Sequence, residues 1–215
     1  MQLDLNTLDP QDAYKLLIGC VVPRPIAWVG TVDPQGVYNL APFSFFNAIG
    51  ASPPALCVSF STTAQRDGLK DSLRNVLATG EFTVNIVSEE LAEAMNITAV
   101  DFPPEIDEFA AAGLTPLPGQ TVRAPRVGEA PICFECRMLT SVPVGTGPLS
   151  ATLVIGTVTL MHARDDLVNE RRHISLERLR PIARLAGADY AYVRETFAMP
   201  RGRFNPETGQ IEWPE

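Results

Sequence analysis

Apolar and polar residues alternate in short runs along much of the chain, the two-residue period of half-buried strands. Ile26 to Val32, Ala55 to Ser61 and Glu81 to Val87 carry this period. Val37 to Leu40 and Phe43 to Asn47 continue extended between the Asp33-Pro-Gln-Gly36 turn and the Pro53-Pro54 break. Two longer runs, Ile132 to Leu139 and Ala151 to His162, flank Pro143-Val-Gly-Thr-Gly-Pro148, which supplies a hairpin connection. Elsewhere the period becomes helical: Leu69, Leu73, Val76 and Leu77 share one face, with Asp67 placed to cap the start and Gly80 to end it. Ser88-Glu-Glu opens a second helix, capped by Ser88, with Leu91 and Met95 on one face. Shorter helices are predicted at Pro10 to Leu17, at Glu105 to Ala112 within the excursion Asp101 to Gly119, and at Ser175 to Leu179. Tyr190 to Phe197 reads as extended, and the tail beyond Pro200 as an arm or a loosely ordered segment. Many short strands and few helices predict a barrel or sandwich.

The 215 residues, 46% of them hydrophobic, suffice for one sizeable core, so one domain with elaborations is expected. Lys and Arg number 17 against 25 Asp and Glu, a net charge of −8 that repels a phosphate polymer, so no nucleic-acid partner is expected. Apolar runs such as Ala151 to Met161 fall well short of the roughly 20 residues that span a bilayer. The acidic N-terminal stretch lacks the look of a secretory signal, so no membrane association and a cytoplasmic location are expected.

Several chemistries lack their motifs: there is no G-x-S-x-G elbow, no G-x-x-x-x-G-K-[ST] loop and no H-E-x-x-H pair. Gly145-Thr-Gly147-Pro-Leu-Ser150 resembles half of a dinucleotide fingerprint, but Pro148 and the strand that follows make it a turn. Cys133 and Cys136 spell C-x-x-C on a predicted strand, where residues three apart point to opposite faces. Ordinary packing is the expected role, with no metal site. The carboxylates Asp101, Glu105, Asp107 and Glu108 have no basic partner nearby in sequence and read as a solvated helix end.

Small polar residues and prolines gather inside otherwise apolar strands at Asn39-Leu-Ala-Pro-Phe-Ser-Phe-Phe-Asn47 and Ser59-Phe-Ser-Thr-Thr63. Pro42 cannot donate to a ladder, so the strand is broken or at an edge there. Peptide groups freed in this way suit the polar rim of a flat heteroaromatic ligand, with phenylalanines as apolar walls. The helix start near Gly68-Leu-Lys-Asp-Ser-Leu-Arg-Asn75 adds free N–H groups, Lys70 and the Ser72 hydroxyl, a site for one phosphate group. The plain alternative is a solvated helix face and half-exposed strand serines. Residue types alone reach a phosphorylated aromatic ligand and no further.

Eight blocks occur in order: Arg24-Pro-Ile-Ala-Trp-Val-Gly-Thr31, the Asn39 to Asn47 stretch, Pro53-Pro54, Lys70-Asp-Ser-Leu-Arg-Asn75, Gly80-Glu-Phe-Thr-Val-Asn85, Asp107-Glu-Phe109, Pro131 with Glu135-Cys136, and Arg184-Leu-Ala-Gly-Ala-Asp-Tyr190. Together they resemble the flavin reductase-like family of FMN-binding split barrels, which includes flavoredoxins and the reductase components of flavin-dependent monooxygenases. The resemblance covers residues 10 to 200 or so. It implies a mainly β fold with added helices: a six-stranded antiparallel split β-barrel of Greek-key character over residues 1–200, with 201–215 as a C-terminal tail. It further implies a homodimer with noncovalent FMN near the subunit interface.

By the same resemblance, Thr31, Asn39, Leu40, Ala41, Ser44, Phe45, Ser59, Phe60 and Ser61 surround the flavin and its ribityl chain. Lys70, Asp71 and Ser72 match the phosphate end, Arg24 and Pro25 lie near the ring, and Tyr190 approaches from the C-terminal side. Ser72 stands where Thr is common, and Ala186 replaces a frequent Gly before Gly187. The implied activity is an NAD(P)H-dependent flavin reductase, with NADH or NADPH as donor and a monooxygenase or electron-transfer partner as acceptor. A flavoredoxin-like carrier reduced by a protein donor and a non-catalytic FMN-binding module remain open. The cofactor carries the chemistry, so no protein acid, base or nucleophile is expected. Peptide N–H groups of Asn39 to Asn47 are the candidate donors to the ring. His162, at a strand end, reads either as a nicotinamide contact or proton donor or as a surface or satisfied histidine, the commoner case; Trp28 reads as core.

Overall fold

Most strands form where alternation places them, but a turn at Ser44-Phe45 breaks the expected Phe43 to Asn47 run, and Tyr190 to Phe197 is strand only over Tyr190–Tyr192. The computed structural model describes residues 1–63, 68–103 and 106–214. Its strands are β1 (Ala27–Val32), β2 (Tyr38–Phe43), β3 (Phe46–Ala51), β4 (Pro54–Ser61), β5 (Glu81–Ile86), the short β6 (Pro116–Leu117) and β7 (Arg126–Val127), β8 (Ile132–Val144), β9 (Ala151–Ala163), β10 (Ile182–Arg184), β11 (Tyr190–Tyr192), β12 (Arg203–Asn205) and β13 (Gln210–Glu212). Seven of them form one sheet in the order β2-β1-β5-β8-β9-β4-β3, antiparallel throughout. The expected count of six becomes seven because the chain turns at Ser44-Phe45 and crosses from one sheet edge to the other. Pro42 sits in edge strand β2 opposite Trp28, where its missing N–H costs no ladder bond.

The sheet curls until Phe43 of β2 meets Phe60 of β4, ring centroids 4.6 Å apart. Val29, Val58, Phe82 and Val154 fill the space between. β1 is buried on both faces because Trp28, on the opposite side from Ala27 and Val29, enters a second core with Leu40, Met95 and Phe109. Trp28 Nε1 donates to Thr98 Oγ1 (2.8 Å), so its polar end is satisfied. The expected fold class, mainly β with an antiparallel sheet and few helices, is the observed one.

The helices are α1 (Pro10–Cys20), α2 (Asp71–Thr79), α3 (Ala92–Ile97), α4 (Glu108–Ala111) and α5 (Leu176–Leu179). α1 starts as read, capped by Asp9, and runs three residues past Leu17. α2 begins later than its apolar spacing implies, with Lys70 at the N-cap; the expected cap Asp67 lies outside the described residues. Its buried face is Ser72, Leu73, Asn75 and Val76, and Leu77 is exposed, because two polar side chains turn inward to join the sheet. Gly80 ends α2 at φ 70, the left-handed conformation that glycine adopts without strain. The Ser88 helix is divided, a tight turn Glu89–Leu91 preceding α3, and the Ser88 side chain makes no cap bond. The expected Glu105 to Ala112 helix is confined to α4, capped by Asp107, and Glu105 lies outside the described residues. Ser175 caps α5 as the sequence implies.

β8 extends through Pro143, so the turn to β9 is shorter than Pro143 to Pro148. Cys133 and Cys136 are buried, and burial pushes both thiols up, Cys133 to about 12 and Cys136 further still. Both therefore act as small apolar packing groups. Among the described residues no helix is long and apolar enough to cross a membrane.

Candidate flavin and phosphate groove

A groove runs along edge strand β2, between the start of α2 and the segment that follows α3. Its inner cavity is walled by Asn39, Ala41 and Phe43 on one side, Lys70 and Ser72 on another, and Thr98 to Phe102 on the third. Pro42, Phe43 and Ala99 also wall an adjoining cavity of 350 Å³ toward Arg24, Ser44, Arg184 and Tyr190. The two cavities share these three residues as walls; the first is polar at the α2 end, and the second is flanked by rings. A cavity of that size lies within the roughly 300–1,000 Å³ usual for small-molecule sites.

The α2 end is built from inward-facing polar residues. Asn39 Nδ2 donates to Ser72 Oγ (2.8 Å), and Asn75 Nδ2 donates to Thr31 Oγ1 (3.1 Å). These bonds pin the first turn of α2 to β1 and β2, while Leu73 and Val76 enter the barrel core. Ser72 accepts from Asn39 and keeps its own O–H to donate. The N–H groups of Ser72 and Leu73 belong to the first turn, where no helical carbonyl accepts them. Together with Lys70 and the positive end of the helix, they suit a phosphate group.

Carboxylates limit the positive field there. Lys70 Nζ is 3.5 Å from Asp101 Oδ1, and Asp71 pairs with Arg74. Burial pushes the Glu108 carboxyl above its ordinary value, and Asp107 and Asp71 add to the rise; the Leu40 N–H, donating to Glu108 Oε2 at 3.3 Å, opposes it. That bond also narrows the expected donors to the ring. Leu40 and Pro42 face the same outward side of β2, so one N–H is engaged by Glu108 and the other does not exist. Of the Asn39 to Asn47 peptide groups, donation into the groove therefore falls to Ser44 and beyond.

At the other end Arg24 acts as a strap. Its Nη1 donates to the carbonyls of Ile18 (2.7 Å) and Val21 (2.8 Å), its Nη2 to Leu185 (2.7 Å) and its Nε to Ser44 Oγ (3.3 Å). One buried guanidinium thus joins the end of α1, the β2–β3 corner and the loop after β10. Arg184 stacks on the Tyr190 ring, 4.5 Å from its centroid, and also bonds the Tyr190 hydroxyl.

The structure therefore brings Asn39, Ala41, Lys70, Asp71 and Ser72 into one cavity and Arg24, Ser44 and Tyr190 into the next. Phe45 stands beside the second, 5.8 Å beneath the Arg24 guanidinium and near Tyr14. Thr31 is buried beneath α2, Leu40 enters the second core and Phe60 packs on Phe43, because strand alternation turns these three side chains inward. Ser59 and Ser61 lie half-buried on the face of β4 opposite Val58 and Phe60, and Pro25 is exposed; none of the three walls either cavity. Glu108, Asp101 and Arg184 wall the groove without having been singled out for it. The first two read as a solvated helix end, and only tertiary packing moves them; Arg184 is signalled by its place in the last sequence block. His162 is a satisfied histidine, its Nε2 2.7 Å from Oε1 of the fully buried Glu135, and it is absent from the groove walls. Burial alone would raise Glu135, but the N–H groups of Gln120 and Thr121, the Thr121 hydroxyl and His162 outweigh it and hold the carboxyl at about 2.

Comparison with known proteins agrees with this construction. A family model described as a flavin reductase like domain matches residues 18–179. A relative in Aquifex aeolicus is 44% identical over 190 residues, 88% of this chain and 94% of its own. The crystal structure of nitrilotriacetate monooxygenase component B from Bacillus cereus superposes with a TM-score of 0.87 at 39% identity, over 93% of this chain and 98% of that one. The 2-nitrobenzoate 2-nitroreductase of Pseudomonas fluorescens gives 0.84 at 29% identity, over 96% and 98%. With its model match spanning most of the sequence and its sheet, helices and groove arranged as described, this chain belongs to the flavin reductase-like domain family.

Proposed function

We propose that the chain is an FMN-binding oxidoreductase, an NAD(P)H-dependent flavin reductase that passes electrons from NADH or NADPH to an acceptor. The observation that carries this reading is that the two cavities meet at the Pro42, Phe43 and Ala99 wall. The α2 start with Lys70 and Ser72 opens into the same cavity as Ala41, Pro42 and Phe43, the arrangement a phosphate joined to a flat ring requires. Family membership and 39% identity to a nitrilotriacetate monooxygenase component B support a redox role and a monooxygenase as acceptor. A homodimer is part of the same reading.

The residues present fit FMN. Lys70, the Ser72 hydroxyl and the first-turn N–H groups of α2 would hold its phosphate, and Pro42 and Phe43 would border its ring. Bound there, FMN supplies the hydride and electron chemistry that no side chain of the groove offers. The chain's part is positional. The Asn39–Ser72 and Asn75–Thr31 bonds fix α2 against the sheet, Arg24 holds three segments at the ring end, and Arg184 on Tyr190 closes the far wall against water.

The test is anaerobic mixing of the flavin-loaded protein with NADH and with NADPH, followed at the flavin absorbance bands. Bleaching at a catalytically useful rate is the expected result. Bleaching only by a reduced protein donor points to a flavoredoxin-like carrier. Colourless protein that fails to bind added FMN overturns the reading.

A further inference from the structure

The last stretch of the chain leaves the body of the fold. Val193 N–H bonds the Pro181 carbonyl (3.3 Å) and Arg194 clamps Glu89 (2.9 and 2.6 Å). Beyond these, among the described residues, no backbone hydrogen bond joins residues 195–214 to the rest. What forms instead is the β12–β13 hairpin, with Arg203 opposite Glu212, Phe204 opposite Ile211 and Asn205 opposite Gln210. Strand alternation puts Gly202, Phe204, Ile211 and Trp213 on one face and Arg203, Asn205, Gln210 and Glu212 on the other. A Cβ on Gly202 would stand 2.5 Å from Ile211 Cγ2 and 3.2 Å from the Trp213 ring, so glycine lets these side chains close over the backbone. The apolar face so assembled is bare: Phe204 is 68% exposed, Ile211 59% and Trp213 66%. A two-stranded hairpin without a core is marginal in water, and a clustered apolar face of this kind marks a contact surface.

The body of the same chain also exposes apolar side chains. Leu139, Val142 and Val144 are exposed on the far half of β8, and Ile49 is exposed on edge strand β3. We propose that the hairpin is an exchange arm: it lays its Phe204, Ile211 and Trp213 face on the body of a second copy of this chain, which returns its own arm through the same two-fold axis. This rests on, and deepens, the homodimer of the proposed function.

Two features favour a second copy as the occupant. The arm and the body of one chain both expose apolar residues, so a two-fold lets each copy's arm meet the other's body. The eight residues 195–202 reach roughly 27 Å when extended, enough to leave one body for another. The area is also adequate. Phe197, Phe204 and Trp213, at roughly 150–250 Å² each, leave on the order of 400 Å² of aromatic surface per arm, and two arms supply about half of a standard interface of roughly 1,600 Å².

The chain has two tryptophans, and Trp28 is fully buried, so quenching by neutral acrylamide reports on Trp213. Quenching is measured across a dilution series with sedimentation velocity in parallel, on the wild type, on Trp213→Phe and on the pair Phe204→Ser with Ile211→Ser. The expected result is a dimer with Trp213 shielded, quenching that rises several-fold as dimers dissociate, and a dimer dissociation constant at least tenfold weaker in the double variant with unchanged circular dichroism. A monomer at every concentration overturns both the arm and the homodimer. A dimer with Trp213 open, or one indifferent to the double variant, overturns the arm alone, as does a Trp213 equally shielded in the monomer.

Discussion

Replacing Lys70 by Ala separates the phosphate end of the groove from the ring end. Lys70 Nζ faces Asp101 at 3.5 Å, with the two side chains 35% and 61% exposed. An ion pair that open contributes about 0–1 kcal/mol. A charge-assisted bond from the same ammonium to a phosphate contributes about 1.5–3 kcal/mol, so the phosphate displaces Asp101 with a net gain. Lys70→Ala is therefore expected to weaken FMN binding by about 1–3 kcal/mol, roughly 5- to 150-fold, and to leave riboflavin, which lacks the phosphate, unchanged. Asp101→Asn releases Lys70 from its competitor and should tighten FMN by up to about fivefold. The two changes are coupled, so Asp101→Asn does less in the Lys70→Ala background. Flavin fluorescence titrations of the four proteins with FMN and riboflavin, at low and physiological salt, measure all of this. An unchanged FMN affinity in Lys70→Ala, or an equal loss for riboflavin, refutes the phosphate assignment.

Glu108 has its carboxyl raised by burial in the fold, so the native state holds its proton more tightly than the unfolded chain does. Its ionisation costs no stability below the ordinary carboxylate range and its full cost above the raised value; Glu108→Gln should stabilise the protein at neutral pH and not at acid pH, as read from urea midpoints at each. Glu89 and Glu135 behave oppositely. Arg194 and Arg180 hold Glu89 at about 2 against its desolvation, and Glu135 is held at about 2. Their contributions are complete above about 4.5 and are lost as pH falls toward about 2, so thermal stability should drop steeply across that window and less steeply in Glu135→Gln. Leu73→Ala, in the barrel core beneath α2, should cost about 2–5 kcal/mol in denaturant unfolding. It should also weaken FMN more than riboflavin, because the loosened element is the one that holds the phosphate; equal loss for both would contradict that placement.

Period and punctuation made the sheet legible. Alternation located the strands, Pro42 marked an edge and Gly80 ended a helix where expected. Strand number was not legible, because nothing in Phe43 to Asn47 says that the chain turns at Ser44 to reach the opposite edge. The helix faces were read from apolar spacing, which misassigned Leu77 and passed over Ser72 and Asn75 as inward residues; hydrogen bonds to Asn39 and Thr31 compensate the burial of these polar groups. The phosphate end was legible in Lys70 and Ser72 since one short segment carries it. The acidic wall was not, because Asp101 and Glu108 reach the groove through tertiary packing that local sequence does not encode. Arg24 was read as a neighbour of the ring, and its bonds to carbonyls at the end of α1 and in the loop after β10 could be seen only in the fold.

A crystal structure of the protein grown with FMN tests the central claim most directly. The account predicts phosphate oxygens within hydrogen-bond distance of Lys70 Nζ, the Ser72 hydroxyl and the N–H groups opening α2, with Asp101 displaced and the ring lying along Pro42 and Phe43 toward Tyr190. Flavin bound on another surface, or bound in the groove with its phosphate directed away from α2, would contradict it.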